Sequence, residues 1–207
     1  NDGSTDKTLG IAKSYLKKIP LTILSHETNK GVDGAFRTGF KEASRIAKPD
    51  DIIITMDADN TFEPSLMKQM IKYINDEGYN MVIASRYVKN GGVVGVPFIK
   101  KYLSTCAKYM FKLLFPIKGV SDYTIFYRAY KAGLLKEALS FYKDKLIEIP
   151  GFTCMPELLI KLRKFNLNVI EVPCVIRYDK KPTPSKMKLI KTIKNHLKMM
   201  FYLKFKI

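Results

Sequence analysis

Apolar and polar residues fall in blocks along this chain, and the blocks read alternately as strands and helices. Residues 51–56, D-I-I-I-T-M, form a short, β-branched, nearly continuous apolar run. Such a run suits a strand buried on both faces of a parallel sheet, so a central strand is expected here. Residues 81–84, M-V-I-A, read as the next strand and lead into Ser85-Arg86. Between the two, Pro64 stands where a helix accepts proline at its first position. Leu66, Met67, Met70, Ile71 and Ile74 recur at helical spacing as that helix's inward stripe.

Upstream, residues 1–6, N-D-G-S-T-D, are a polar turn with Ser4, Thr5 and Asp6 as candidate N-caps. A helix is expected to about residue 18, burying Leu9, Ala12, Tyr15 and Leu16, with Pro20 ending it. Residues 21–25 read as a short strand and Asn29-Lys30-Gly31 as a turn. A second helix should reach about residue 47 with Ala35, Phe36, Gly39, Phe40 and Ala43 inward. Strands alternating with helices imply an α/β fold with a mostly parallel sheet. The chain opens inside a loop and without an initiator Met, so a preceding strand is expected and the chain reads as a fragment.

Downstream the pattern changes. Asn90-Gly91-Gly92 reads as a flexible loop, and residues 99–115 as an amphipathic helix with Tyr102, Leu103, Cys106, Met110 and Leu114 on one face. Residues 122–128 alternate as a strand would, 130–139 and 155–165 read as helices, and 169–176 as a strand whose Pro173 assigns it to a sheet edge. Residues 186–207 hold seven lysines and no acidic residue, with Met187, Ile190, Ile193, Leu197 and Met200 at helical spacing. A basic amphipathic helix of this kind reads as a membrane-surface element, or as a helix packed on the domain with a lysine-covered outside. The expected organisation is a domain over 1–185 and this helix over 186–207.

Composition sharpens the picture. The 207 residues are 46% hydrophobic, enough for one domain with a substantial core. The formal net charge of +17 implies anionic partners: nucleotides, nucleic acid or an acidic membrane surface. Nucleic acid is disfavoured, because aromatics do not interleave with the basic residues and no recognition motif appears. No apolar run approaches a spanning helix. Cys106, Cys154 and Cys174 are widely spaced, and with two histidines a zinc site is not indicated.

The candidate chemistry sits directly after the central run. Asp57 and Asp59 follow it one residue apart, where open α/β sheets bind ligands beyond their carboxyl strand ends. Two carboxylates there suit a hard divalent cation that takes its remaining oxygens from water and a substrate phosphate. The bland alternative is a chance D-x-D. Lys100 and Ser104, four apart, share a helical face. Gly91, Gly92 and Gly95 do not open a helix tightly enough for a phosphate cradle and read as a mobile acceptor loop or a plain surface loop.

Taken in order, N-D-G-S-T-D, N-K-G, D-A-D at 57–59 and S-R at 85–86 resemble the inverting nucleotide-sugar glycosyltransferases of the GT-A fold. V-S-D-Y-T-I-F-Y-R-A-Y, P-E-L-L-I-K-L-R, E-V-P and R-Y-D-K-K-P-T-P-S-K narrow the resemblance to the dolichol-phosphate mannose synthase branch and its polyprenyl-phosphate relatives. The resemblance implies that Asp2 contacts the donor base or ribose, and that Asp57 and Asp59 meet the sugar nucleotide and Mg²⁺ or Mn²⁺. It places Arg86 near the diphosphate, Lys100 and Ser104 at an acceptor-phosphate clamp, Asp122 and Arg128 in matching S-D and F-R elements, and Arg177, Ser185 and Lys186 on a loop closing over donor phosphates. Three positions depart from the pattern: Thr61 stands where Gln is common, Lys100 where Arg is, and Pro184 where Gly is.

The implied activity is hexose transfer, with inversion, from a nucleotide sugar (GDP-mannose or UDP-glucose type) to a polyprenyl or dolichyl phosphate at the cytoplasmic membrane face. Two alternatives stay open: transfer to a glycan hydroxyl with Asp122 as base, and a non-catalytic membrane or partner scaffold. A lipid phosphate, already mostly ionised at neutral pH, needs no base; a hydroxyl does.

Overall fold

A computed structural model describes residues 1–181 and 189–206. The helices α1 (Thr8–Ser14) and α2 (Gly31–Ile46) precede the first strand, β1 (Ile52–Thr55). Then come α3 (Leu66–Glu77), β2 (Met81–Ser85), β3 (Gly92–Val94), α4 (Phe98–Leu114), β4 (Arg128–Lys131) and α5 (Ala132–Tyr142). The chain closes with α6 (Cys154–Leu162), β5 (Val169–Pro173), β6 (Val175–Arg177) and α7 (Leu189–Lys206).

Four strands form one sheet in the order β1-β4-β2-β5. β1, β2 and β5 run one way, and β4 lies antiparallel between β1 and β2, with Thr55 opposite Arg128 and Ile83 opposite Arg128. The sheet is thus mostly parallel in direction, as expected, with one reversed strand. β3 and β6 pair parallel in a separate two-stranded sheet. Every residue of β2 is buried, as its unbroken apolar run requires. α3 packs on β1, β2 and β4, and α7 packs on α4. Met199, Met200 and Leu203 carry α7 into the same core as Met70, Ile83, Phe111 and Leu158.

Several expectations need correction. β1 is an edge of the four-stranded sheet, not its centre, and its residues are only half-buried. Its apolar run is continuous because α3 and the β4 ladder cover it, not because strands flank it on both sides. Residues 21–25 form no strand; their vicinity contributes a single bridge, Asp2 to His26. α1 ends at Ser14 and buries nothing, leaving Tyr15 and Leu16 exposed. In α2 Ala35 faces solvent, and in α3 so does Ile71. Residues 122–127 are loop, and the strand begins at Arg128, so the following helix starts later than expected. The 90–92 loop runs into β3, because Gly92 is recruited to pair with Val175. Pro173 does sit on the edge strand β5.

Candidate active site

The sheet's shared carboxyl edge gathers most of the expected residues. Thr55 ends β1 by donating its hydroxyl to the Phe126 carbonyl at 2.6 Å, and the chain then turns through Asp57 and Asp59. Asp59 is fully engaged. Its Oδ1 accepts from the Thr61 hydroxyl at 2.5 Å and the Thr61 amide at 3.2 Å, and its Oδ2 accepts from Lys181 Nζ at 2.6 Å. Thr61 therefore fixes the second carboxylate. Lys181 reaches the pair because Arg177 donates its backbone N–H to the Thr61 carbonyl at 2.9 Å, laying the end of β6 along the D-x-D loop. A Cβ on Gly95 would lie 2.5 Å from the Asp179 amide nitrogen, so the segment after β3 passes the turn after β6 closely enough to require glycine.

Asp57 takes no hydrogen bond from the described residues. Burial, and then the neighbouring charge of Asp59, push its carboxyl up to about 6 against a partial offset from Lys181. Asp59 also loses solvent, but Lys181 and Thr61 outweigh that and hold it below the usual carboxylate range. The donor set is thus one strained, unpaired carboxylate beside one paired with a cation. No cluster of three or more His, Cys, Asp or Glu exists among the described residues. The pair fits a divalent ion that completes its shell with water and substrate oxygens: an ammonium already occupies the second carboxylate, and the first wants a cation.

Two strands over, beyond β2, Arg86 and Asp122 form a second cluster. Asp122 is fully buried. Its Oδ2 accepts from Arg86 N at 3.1 Å and Nε at 2.7 Å, and its Oδ1 from Nη2 at 2.5 Å. Burial alone would raise the Asp122 carboxyl; Arg86's charge and hydrogen bonds reverse this and hold it low. The loop carrying Asp122 is fixed in turn by Glu171, whose Oε1 accepts from the Ser121 and Asp122 amides at 2.7 and 2.6 Å. Both Asp122 oxygens are thus engaged by Arg86, away from solvent. Arg86 Nη2 also donates to Thr124 Oγ1 at 2.7 Å, whereas Nη1 makes no hydrogen bond among the described residues. Tyr178 sits between the two clusters; burial raises its hydroxyl, which feels Arg86, Asp57, Lys181 and Asp59 together. Arg128 is buried and braces the carbonyls of Met155 and Tyr123, a scaffold role.

The remaining expected residues are more scattered. Asp2 accepts from the Lys30 amide at 2.9 Å and lies 2.7 Å from His26 Nδ1, whose other nitrogen meets Thr38 Oγ1 at 2.8 Å. The structure thus joins the N-D-G and N-K-G segments, and no direct contact links Asp2 to the carboxylate pair among the described residues. Ser104 Oγ lies 2.5 Å from the Tyr87 hydroxyl, directly after Arg86, while Lys100 is exposed one turn away. Arg177 folds its guanidinium onto Asp179. Ser185, Lys186 and Pro184 lie outside the described residues. Sequence reading missed His26, Lys108 over the Tyr87 ring, Glu171 and Lys181. Lys108 continues the Lys100–Ser104 spacing, and Glu171 and Lys181 lie inside the E-V-P and R-Y-D-K-K-P-T-P-S-K segments, whereas nothing in the sequence singles out His26.

This architecture is the GT-A fold. It matches glucosyl-3-phosphoglycerate synthase from Mycobacterium tuberculosis, solved in complex with Mn²⁺, UDP and glucosyl-3-phosphoglycerate, with a TM-score of 0.59 at 15% identity over 98% of this chain and 66% of that one. It also matches S. aureus TarS in complex with UDP, with a TM-score of 0.52 at 18% identity over 96% of this chain and 54% of that one. The chain belongs to glycosyl transferase family 2, which residues 1–139 match. Among curated relatives, the dolichol-phosphate mannosyltransferase of Pyrococcus furiosus is 33% identical over 84% of this chain and 45% of its own length. The polyprenol monophosphomannose synthase of Mycolicibacterium smegmatis is 28% identical over 84% of this chain and 63% of its own. The chain thus spans about half to two thirds of these relatives.

Proposed function

We propose that this chain transfers a hexose from a nucleotide sugar to a polyprenyl or dolichyl phosphate, with inversion. The observation that carries the reading is the state of Asp122. A glycan hydroxyl acceptor would need a general base at the site, and the carboxylate suggested for that task is buried and ion-paired. A lipid phosphate, with a second pKa near ~6, attacks without one. The names of the curated relatives agree with a lipid-phosphate acceptor.

In this reading Asp57 and Asp59 would hold Mg²⁺ or Mn²⁺, which supplies charge balance to the leaving diphosphate. Arg86, held by Asp122 with its Nη1 unbonded among the described residues, would offer that donor to the same charge without reorganising, which is the property that makes fixed donors effective. Asp2 would meet the base or ribose. Lys100, Ser104 and Lys108, on one face of α4, would receive the acceptor phosphate beside Tyr87.

Exposed apolar residues on α7 and α4 support a peripheral membrane contact. Of the stripe expected on the last helix, Met200 is buried against the core and Met187 lies outside the described residues. Ile190, Ile193 and Leu197 are exposed, and Phe201 and Phe205 extend them along the same face, opposite Met199 and Leu203. Lys191, Lys194, Lys198 and Lys204 flank this face. α4, packed on α7 through the Phe111–His196 ring contact, exposes Phe98, Ile99, Tyr102, Tyr109 and Leu113. No helix among the described residues is long and apolar enough to cross a membrane. The two helices therefore suit peripheral attachment to an anionic surface, placed here at the cytoplasmic face. Incubation of the chain with GDP-mannose or UDP-glucose, a polyprenyl phosphate and Mn²⁺, followed by mass spectrometry of the organic phase, tests the reading. A glycosylated polyprenyl phosphate is expected. Hydrolysis alone, or sugar appearing only on water-soluble glycans, overturns it.

A further inference from the structure

We propose that Lys181 is the resident cation of the Asp57–Asp59 pair, holding it closed to metal until the sugar nucleotide arrives, and that its ammonium then moves onto the donor diphosphate. This rests on the donor-binding reading above. Lys181 lies in the R-Y-D-K-K-P-T-P-S-K segment; its occupation of the Asp57–Asp59 pair is given neither by the resemblance nor by the D-x-D motif.

Three observations carry it. First, Lys181 Nζ lies 2.6 Å from Asp59 Oδ2, on the one carboxylate oxygen that Thr61 leaves available. A metal bound by Asp59 and the lysine as placed here would compete for the same lone pairs. Second, the contact is held at its backbone end. The Lys181 amide donates to the Tyr178 carbonyl at 3.2 Å, and the Arg177 amide ties the same segment to Thr61. Rotation about the four-carbon stem suffices to move the ammonium while the backbone stays in place. Third, the ammonium is monodentate and only partly buried, with 21% of the side chain exposed. The neighbouring Arg86–Asp122 pair is bidentate around a carboxylate with none exposed. Of the two ion pairs at this sheet edge, the lysine's is the exchangeable one, as expected of a compact charge on a flexible stem against a planar fork.

The chemistry is consistent in charge. Without nucleotide, the two carboxylates face one ammonium. When a divalent ion and a diphosphate enter together, the ion takes over the carboxylates, and the displaced ammonium finds a new anion in the diphosphate. Metal binding alone has no such anion to offer Lys181, so metal and nucleotide should bind cooperatively. A coupling of this kind is reciprocal: each ligand raises the affinity for the other by the same factor.

The test titrates Mn²⁺ alone, followed by electron paramagnetic resonance of the free ion, into the unmodified chain and into Lys181→Met, with circular dichroism confirming that both are folded. Lys181→Met should bind Mn²⁺ alone about fivefold tighter, roughly 1 kcal/mol. In the presence of Mn²⁺ it should bind GDP or UDP about fivefold weaker, and Lys181→Arg should recover most of that nucleotide affinity. Equal Mn²⁺ affinity in the two chains, with the unmodified chain still binding Mn²⁺ plus nucleotide, overturns the role of Lys181 and leaves the donor site standing. Tighter Mn²⁺ with unchanged nucleotide affinity overturns the transfer to the diphosphate. Absence of Mn²⁺ and nucleotide binding in both chains overturns the inference together with the donor site.

Discussion

Asp57 should cost the metal-free fold stability that a neutral isostere would return. Its carboxyl is pushed up to about 6 from the ordinary aspartate value of 3.8 by burial and by Asp59. The sign follows from proton linkage. Between those two values the folded chain holds a proton that the unfolded chain has released, so stability falls as pH rises through that window. It levels off above the folded value. At about 1.4 kcal/mol per pKa unit the full effect approaches ~3 kcal/mol at neutral pH. Asp57→Asn removes that penalty but also forfeits the attraction to Lys181, so a net gain of about 1–2 kcal/mol is expected. For a domain of this size that is about 2–8 °C in Tm.

The assay is thermal unfolding of both chains in chelator at pH 7.5 and pH 5. Asp57→Asn should melt higher at pH 7.5, and the gap should shrink at pH 5, where the native aspartate is mostly protonated. The substituted chain should meanwhile lose the Mn²⁺-dependent part of its nucleotide affinity. A lower Tm for Asp57→Asn at pH 7.5, or a gap that does not change between the two pH values, would refute the account of Asp57 as a strained binding group.

The other clusters predict differently. Asp122→Asn strands the Arg86 charge and should cost about 3–5 kcal/mol in urea unfolding, while residual transfer keeps the pH profile of the unmodified chain; activity newly favoured at high pH would restore a base role. Lys161→Met leaves the fully buried Glu157, which it meets at 2.6 Å, without its cation. A loss of about 3–5 kcal/mol is again expected, partly recovered by adding Glu157→Leu. Leu197→Glu with Phe201→Glu alters only exposed positions, so stability should change by about 0.5 kcal/mol or less per site, while sedimentation with anionic vesicles at low salt should drop sharply. Unchanged sedimentation would remove α7 from the membrane contact.

What could be read in the chain was local, and what could not was long-range. The strand before Asp57, the buried run at Met81 and the edge assigned by Pro173 each depend on a few adjacent residues. The exposed face of α1, the edge position of β1 and the reversed strand β4 depend on which segments become neighbours, and no periodicity records that. The same division runs through the site. D-x-D is visible as a motif, yet its occupant Lys181 arrives from 122 positions away, brought by the pairing of β3 with β6. Asp122 meets Arg86 across 36 positions. In sequence each cluster looks alike: acid at one place, base at another. The structure separates them by denticity and burial. A guanidinium that grips both oxygens of a carboxylate with none of its side chain exposed is costly to open, because either partner would be left charged and dry. An ammonium on a flexible stem, touching one oxygen at a partly open edge, can leave whenever a stronger cation and a new anion arrive together. The first arrangement builds a site, and the second gives it something to exchange.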